Sequence, residues 1–224
     1  MATLFDWRFA KQWKPLHNKH GKSIMKILLI GASGTLGQAV HKHFVESGHE
    51  LVTAGRNSGQ QRVDLTQSAS IAAMFEVVGP VDAVVSTAGN VHFGPLSEVT
   101  SEQFNLGLQD KLLGQVNLAL LGQRYLNDGG SISLVSGVLA DEPIRYGASA
   151  TAVNAAIEGF VKAAAIELPR GIRINAISPT LLTESLPTYG PYFAGFEHVP
   201  AARAALAYQR SVEGAQTGRV FRVL

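Results

Sequence analysis

The sequence predicts a single-domain α/β fold, a doubly wound parallel sheet of about seven strands with helices on both faces. Three observations carry that prediction. Short, continuous, β-branched apolar runs alternate with helical patterns along the chain from residue 25 onward. The first of these runs breaks into glycines at three-residue spacing and then into a helical segment, a strand–turn–helix unit. The chain has 224 residues, 46% of them hydrophobic and 16% charged, which suits one globular domain with a substantial core.

The elements follow in order. Met25 to Ile30 reads as a strand buried on both faces, and Gly31, Gly34 and Gly37 follow it, with Ser33, Thr35 and Leu36 between them. Such a turn presents unpaired helix N-terminal amides to a phosphate, and a Cβ there would block the tight turn, the approach of a pyrophosphate or close helix–strand packing. The unit matches the opening of a dinucleotide-binding Rossmann domain; the bland alternative is a glycine-rich βα turn that holds no ligand. His49 to Ala54 and Gln61 to Leu65 read as the second and third strands, and Ser68 to Val78 as a helix capped by Ser68. Val81 to Ser86 is a buried strand ending in Thr87, Ala88 and Gly89, and Ser101 to Tyr125 is one long helical pattern. Asn127 to Gly130 reads as a turn before the strand Ser131 to Ser136. Tyr146 to Leu168 is a long alanine-rich helix, and Ile172 to Ile177 a strand closed by Ser178-Pro179. Leu186 to Pro200, rich in proline and aromatics, reads as a loop long enough to form a lid. A helix near Pro200 to Val212 and a strand from Arg219 to Val223 complete the pattern. On such a sheet ligands bind at the carboxyl ends of the strands, near the switch in strand order.

Composition excludes several classes. With no cysteine, disulfide frameworks, zinc–thiolate sites and thiol nucleophiles are ruled out, and a cytoplasmic protein is expected. No apolar segment reaches the length of a membrane span, so no membrane partner is expected. The net charge of +2 is unevenly placed: residues 1–24 hold Arg8, Lys11, Lys14, Lys19 and Lys22 against Asp6, leaving the remainder net negative. Nucleic-acid binding is therefore a poor reading of the body of the chain. Residues 1–24 read as a basic N-terminal extension outside the fold, either disposable or a docking or targeting arm, and residues 25–224 as the nucleotide-binding domain.

The second strand bears on cofactor choice. NAD-binding domains carry an Asp or Glu there for the ribose 2′-hydroxyl. This strand instead runs into Ala54-Gly55-Arg56-Asn57-Ser58, and a guanidinium matches a 2′-phosphate, with Ser33 as a further donor. NADP is expected over NAD; the bland alternative is that Arg56 is a solvated loop cation.

Together these motifs resemble the short-chain dehydrogenase/reductase family over nearly the whole chain beyond Lys26. Ser86-Thr-Ala-Gly89 resembles the family's Asn-Asn-Ala-Gly strand end beside the adenosine, which assigns Ala88 and Gly89 to the cofactor. Asp64-Leu65 resembles the Asp and apolar pair at the adenine. Asn175 to Pro179 with Thr183 resembles the segment at the nicotinamide carboxamide, which assigns Pro179 and Thr183. Of the family's catalytic groups, the resemblance puts Ser136 at the serine position and Tyr146 at the tyrosine position of Tyr-Gly-Ala-Ser-Ala-Thr-Ala-Val-Asn. The chain departs from the family pattern at two places: Ala150 occupies the lysine position, and Lys111 the position of the family's Asn. The loop between Ser136 and Tyr146 is also short.

The loss has a size. A phenol titrates near 10, and an ammonium about 4 Å away at intermediate dielectric contributes about 4 kcal/mol, enough to bring it toward neutral pH. Without that cation Tyr146 is a weak proton donor. Lys111 from the neighbouring helix is a candidate replacement, in a rearranged set of Lys111, Ser136 and Tyr146; the alternative is a surface lysine on an amphipathic helix. Ser149 and His92 are weaker candidates for the same region. The resemblance implies an NADP(H)-dependent oxidoreductase moving hydride to or from a small carbonyl or alcohol. Ala150 keeps open a non-catalytic NADP(H)-binding sensor. The resemblance also implies a homo-oligomer through the two long helices, and the aromatics Tyr189, Tyr192, Phe193 and Phe196 suggest an apolar substrate lining.

Overall fold

Periodicity along the first strand decides the layering. In a computed structural model, which describes residues 23–224, β1 (Lys26–Ile30) sends Ile27 and Leu29 to one face and Leu28 and Ile30 to the other, all buried. Both faces must therefore be covered. On the Ile27 side lie α1 (Thr35–Glu46), through Leu36, Val40 and Phe44, and α7 (Ala201–Glu213), through Ala204, Tyr208 and Val212. On the Leu28 side lie α2 (Ser68–Val78), α4 (Gly114–Gly122) and α5 (Ala148–Glu167), which contribute Phe75, Leu118 and Ile157.

The sheet is parallel and seven-stranded, in the order β3-β2-β1-β4-β5-β6-β9. The strands are β2 (Glu50–Gly55), β3 (Gln61–Arg62), β4 (Val81–Ser86), β5 (Leu126–Val135), β6 (Arg173–Pro179) and β9 (Val220–Val223). The order reverses between β1 and β4, so the crevice for a ligand opens above the ends of those two strands. A short parallel pair, β7 (Leu181–Leu182) with β8 (His198–Val199), closes the base of the segment expected as a lid, and α6 (Leu186–Tyr189) lies within it.

Several elements differ from the sequence reading. The third strand is only Gln61–Arg62, because the Asp64 amide donates to Ser70 Oγ at 2.9 Å and its carboxylate accepts from Thr66, turning the chain away from β2. That serine, and not Ser68, closes the start of α2: residue 68 is already helical and Gln67 is the capping position without a side-chain cap. The turn at Asn127–Gly130 sits inside β5 as a bulge, since Val81 pairs with Leu126 but Ala83 with Ser131. The long middle helix is continuous from α3 (Ser101–Gly107) into α4, but residues Leu108–Leu113 form a widened π turn that carries Asp110 and Lys111. The basic extension expected at residues 1–24 lies almost wholly outside the described residues. No described helix is long and apolar enough to cross a membrane.

Candidate active site

The glycine turn forms as its residues require. Gly31 has φ +88°, its amide donates to Ala54 O at 2.9 Å, and a Cβ there would lie 2.9 Å from that of Ala88. At Gly37 a Cβ would stand 2.0 Å from Gly31 O, so α1 can pack on this turn only with glycine at that position. Gly34 caps α1 without a side-chain bond, which leaves the first-turn amides of Thr35 and Leu36 for a ligand. A cavity of about 280 Å³ opens beside the turn, lined among others by Gly31, Ser33, Arg56, Leu65, Ala88 and Gly89. Six of the thirteen residues that the sequence assigns to a cofactor thus share one cavity, and the first turn of α1 beside it, with no side-chain cap, fits a pyrophosphate.

Polar groups in this cavity are already interacting. Ser58 Oγ donates to Ser33 Oγ at 2.9 Å. Arg56 lies 3.0 Å from Asp64 Oδ1 and 4.0 Å from Asp110 Oδ2, and Asn90 donates to the latter at 2.7 Å. The Thr66 hydroxyl and amide, and then Arg56, hold the Asp64 carboxyl below its ordinary range. Asp64 is therefore anchored to its own turn and to Arg56, while Leu65 is wedged beneath Gly114, where a Cβ would meet it at 2.8 Å. Asp110 and Asn90 escaped the sequence reading; their one signal was proximity to Lys111 and Gly89.

A second cavity, of about 220 Å³, contains Lys111, Ser136, Ala150 and Pro179. Gly89 separates the two: at φ +133° its missing side chain leaves room for the Lys111 stem, whose Cγ would lie 2.5 Å from a Cβ. The stem crosses there, and Lys111 Nζ donates to Asn154 Oδ1 at 2.7 Å and to the Ser136 carbonyl at 3.1 Å. Burial pushes its pKa down to about 8. The remaining wall is apolar and aromatic, with Phe93, Val138, Leu139, Leu181, Tyr189 and Phe193.

Two expectations for this site require correction. Ser136 is present, but its hydroxyl donates to the buried Glu158 at 2.9 Å, and its carbonyl is the group that meets Lys111. Tyr146 does not line this cavity. The short loop after Ser136 brings residue 146 in at φ +69°, two residues before α5 begins, with its carbonyl accepting from the Gly94 amide. Its ring meets Tyr192 edge-on, centroids 6.2 Å apart, and lines a neighbouring groove with Leu96, Pro143 and Ile144. Ser149 is buried against Gly107, and neither it nor His92 lines either cavity. Thr183 bonds His198 Nδ1 at 3.0 Å, at the base of the lid. The residues missed were Asn154 and Glu158. With Ala150 they form an i, i+4, i+8 row on α5 facing the end of β5, and that spacing was the available signal.

The family model described as enoyl-(acyl carrier protein) reductase matches residues 31–221. The chain belongs to the short-chain dehydrogenase/reductase family. It is 31% identical over 192 residues to the 2,5-dichloro-2,5-cyclohexadiene-1,4-diol dehydrogenase LinX of Sphingobium indicum, spanning 72% of this chain and 76% of that one. The crystal structure of the protein lin1944 from Listeria innocua superposes with a TM-score of 0.87 at 52% identity, covering 89% of this chain and 100% of that one. A small-chain dehydrogenase in complex with NADPH superposes with a TM-score of 0.79 at 29% identity, covering 90% and 97%. Family membership places the chain among oxidoreductases of nicotinamide cofactors.

Proposed function

We propose that this short-chain dehydrogenase/reductase is an NADP(H)-dependent oxidoreductase that moves hydride to or from a small, apolar-bodied carbonyl or alcohol, with Lys111 as its proton-transfer group. The observation that carries the reading is the Lys111 amine, held by Asn154 and the Ser136 carbonyl on the wall of the second cavity.

When bound, the nicotinamide supplies or accepts the hydride. The chain's residues then bind, orient and move a proton. The α1 amides of Thr35 and Leu36 receive the pyrophosphate, and Leu65, Ala88 and Gly89 flank the adenosine. Pro179 and Thr183 lie toward the nicotinamide end. Arg56 takes the 2′-phosphate, assisted by Ser33 and Ser58. Its present pairing with Asp64 opposes this little: exposed ion pairs contribute about 0.2–1 kcal/mol, whereas a hydrogen bond to a charged phosphate is worth about 1.5–3 kcal/mol. That difference favours NADP over NAD. A fluorescence titration is expected to give Arg56→Ala an NADPH Kd about tenfold to hundredfold higher, with the NADH Kd unchanged. Equal weakening of both would remove Arg56 from cofactor selection.

In the reducing direction the protonated Lys111 would donate its proton to the carbonyl oxygen; in the oxidising direction the neutral amine would accept the alcohol proton. The pKa of about 8 gives these directions opposite pH limbs. Reduction is expected to be fastest below pH 8 and to fall through it as the ammonium is lost; oxidation is expected to rise through it. Lys111→Met is expected to lower kcat/KM by about a hundredfold or more and to abolish both limbs while NADPH still binds. A Lys111→Met enzyme that keeps full turnover on an active substrate contradicts the assignment.

The oligomer is part of the same reading. Leu106, Leu113 and Leu120 recur at seven-residue spacing and are exposed, and Ile166 on α5 is 86% exposed. These exposed apolar residues on the two long helices fit a second copy of the chain. Gly159 on α5 has no atom within 4 Å of a built Cβ, so Gly159→Arg leaves the protomer intact. Light scattering is expected to give an oligomer for the wild type and a smaller species for Gly159→Arg; an unchanged mass excludes this face.

A further inference from the structure

The bonding around Lys111 leaves one direction at its nitrogen unclaimed. An amine nitrogen is tetrahedral: one position is the bond to Cε, and two N–H groups are donated to Asn154 Oδ1 and the Ser136 carbonyl. Both partners are carbonyl oxygens, which accept and cannot donate. In the neutral amine the lone pair therefore occupies the remaining position. Lys111 lines the second cavity, whose only other titratable wall residue among those described is Tyr189. Asp110, its neighbour in the chain, is engaged by Asn90 and lines the other cavity. Glu158 lies behind Ser136, whose hydroxyl it accepts, and faces Arg222 at 3.6 Å. No carboxylate of the described wall holds Lys111 as an ion pair.

We infer that Lys111 is a covalent capture site for aldehydes, forming an imine within the apolar cavity. The inference rests on the reading of this cavity as a carbonyl site, but not on the bound cofactor. In the step, the Nζ lone pair bonds to the aldehyde carbon and the carbonyl π pair moves to oxygen. A proton passes from nitrogen to that oxygen, giving a carbinolamine. Water then leaves with the hydroxyl and a nitrogen proton, and the C=N bond forms. Amine and aldehyde give imine and water, with no change of oxidation state. The imine nitrogen then takes a proton from solvent, and the single N–H of that iminium can restore the 2.7 Å bond to Asn154. The walls of Phe93, Val138, Leu181, Tyr189 and Phe193, around about 220 Å³, select a small apolar aldehyde and exclude bulky or charged ones.

Full-chain wild-type protein is treated at pH 7.5 with benzaldehyde and sodium cyanoborohydride, without nicotinamide, and alkylated lysines are located by peptide mass mapping. A lysine with a pKa of about 8 holds far more free amine at this pH than an ordinary one. Alkylation at Lys111 is expected on the order of 50-fold faster than at the exposed Lys42, after allowance for its weaker basicity. Its rate is expected to rise through a midpoint near pH 8, and Lys111→Arg is expected to lose this label alone. Labelling at Lys111 no faster than at Lys42 overturns the inference. An NADPH titration on the same preparation keeps the two readings apart: binding without capture removes only the imine, and capture without binding removes only the NADP(H) reading.

Discussion

A lysine amine in an apolar setting dictates what its neighbours must be. A buried ammonium is costly unless its hydrogens are accepted, and Lys111 meets that demand with two carbonyl oxygens and no carboxylate. The consequences run outward. Gly89 cannot carry a side chain, because the lysine stem occupies that space. Asn154 must present oxygen toward the amine and so aims its nitrogen at Gly137 O, 3.5 Å away. The Ser136 carbonyl is turned to the amine and its hydroxyl to Glu158, which in turn faces Arg222 on the last strand. Pairing with neutral dipoles leaves the desolvation of Lys111 uncompensated by an opposite charge, and that is why its pKa falls to about 8.

The cofactor side obeys a steric constraint instead. The contact between Gly37 and Gly31 O sets how closely α1 approaches β1, and that approach aims the helix N-terminus over the reversal in strand order. Arg56, on the wall of this cavity, is paired with Asp64 in an exposed ion pair of small net worth. Gly89 lines the first cavity and leaves room for the stem of Lys111, which lines the second, so one glycine serves both the cofactor wall and the passage of the lysine.

Much of this was legible in the sequence, because it depends on local pattern. The alternating apolar runs and the glycine spacing establish the sheet and its first turn, and Arg56 follows from the residues that end β2. Lys111 was found by register alone along the middle helix, although the widened turn that carries it has no sequence signature beyond that register. The fate of Tyr146 was not legible. A short loop enters α5 with a left-handed residue, and that backbone choice removes the ring from the cavity whatever its identity. The direction of the Ser136 hydroxyl depends on Glu158, 22 residues away, and only the assembled α5–β5 contact reveals it. A local backbone choice decided Tyr146, and a partner distant in sequence decided Ser136.

With only neutral dipoles around its amine, Lys111 is expected to lose its proton far below the pH at which a solvated lysine does. Heteronuclear NMR of the Lys111 side-chain resonance as a function of pH, assigned by comparison with Lys111→Arg, reads this titration. A midpoint of about 8 is expected. A midpoint above 10, like that of a solvated lysine, contradicts the account.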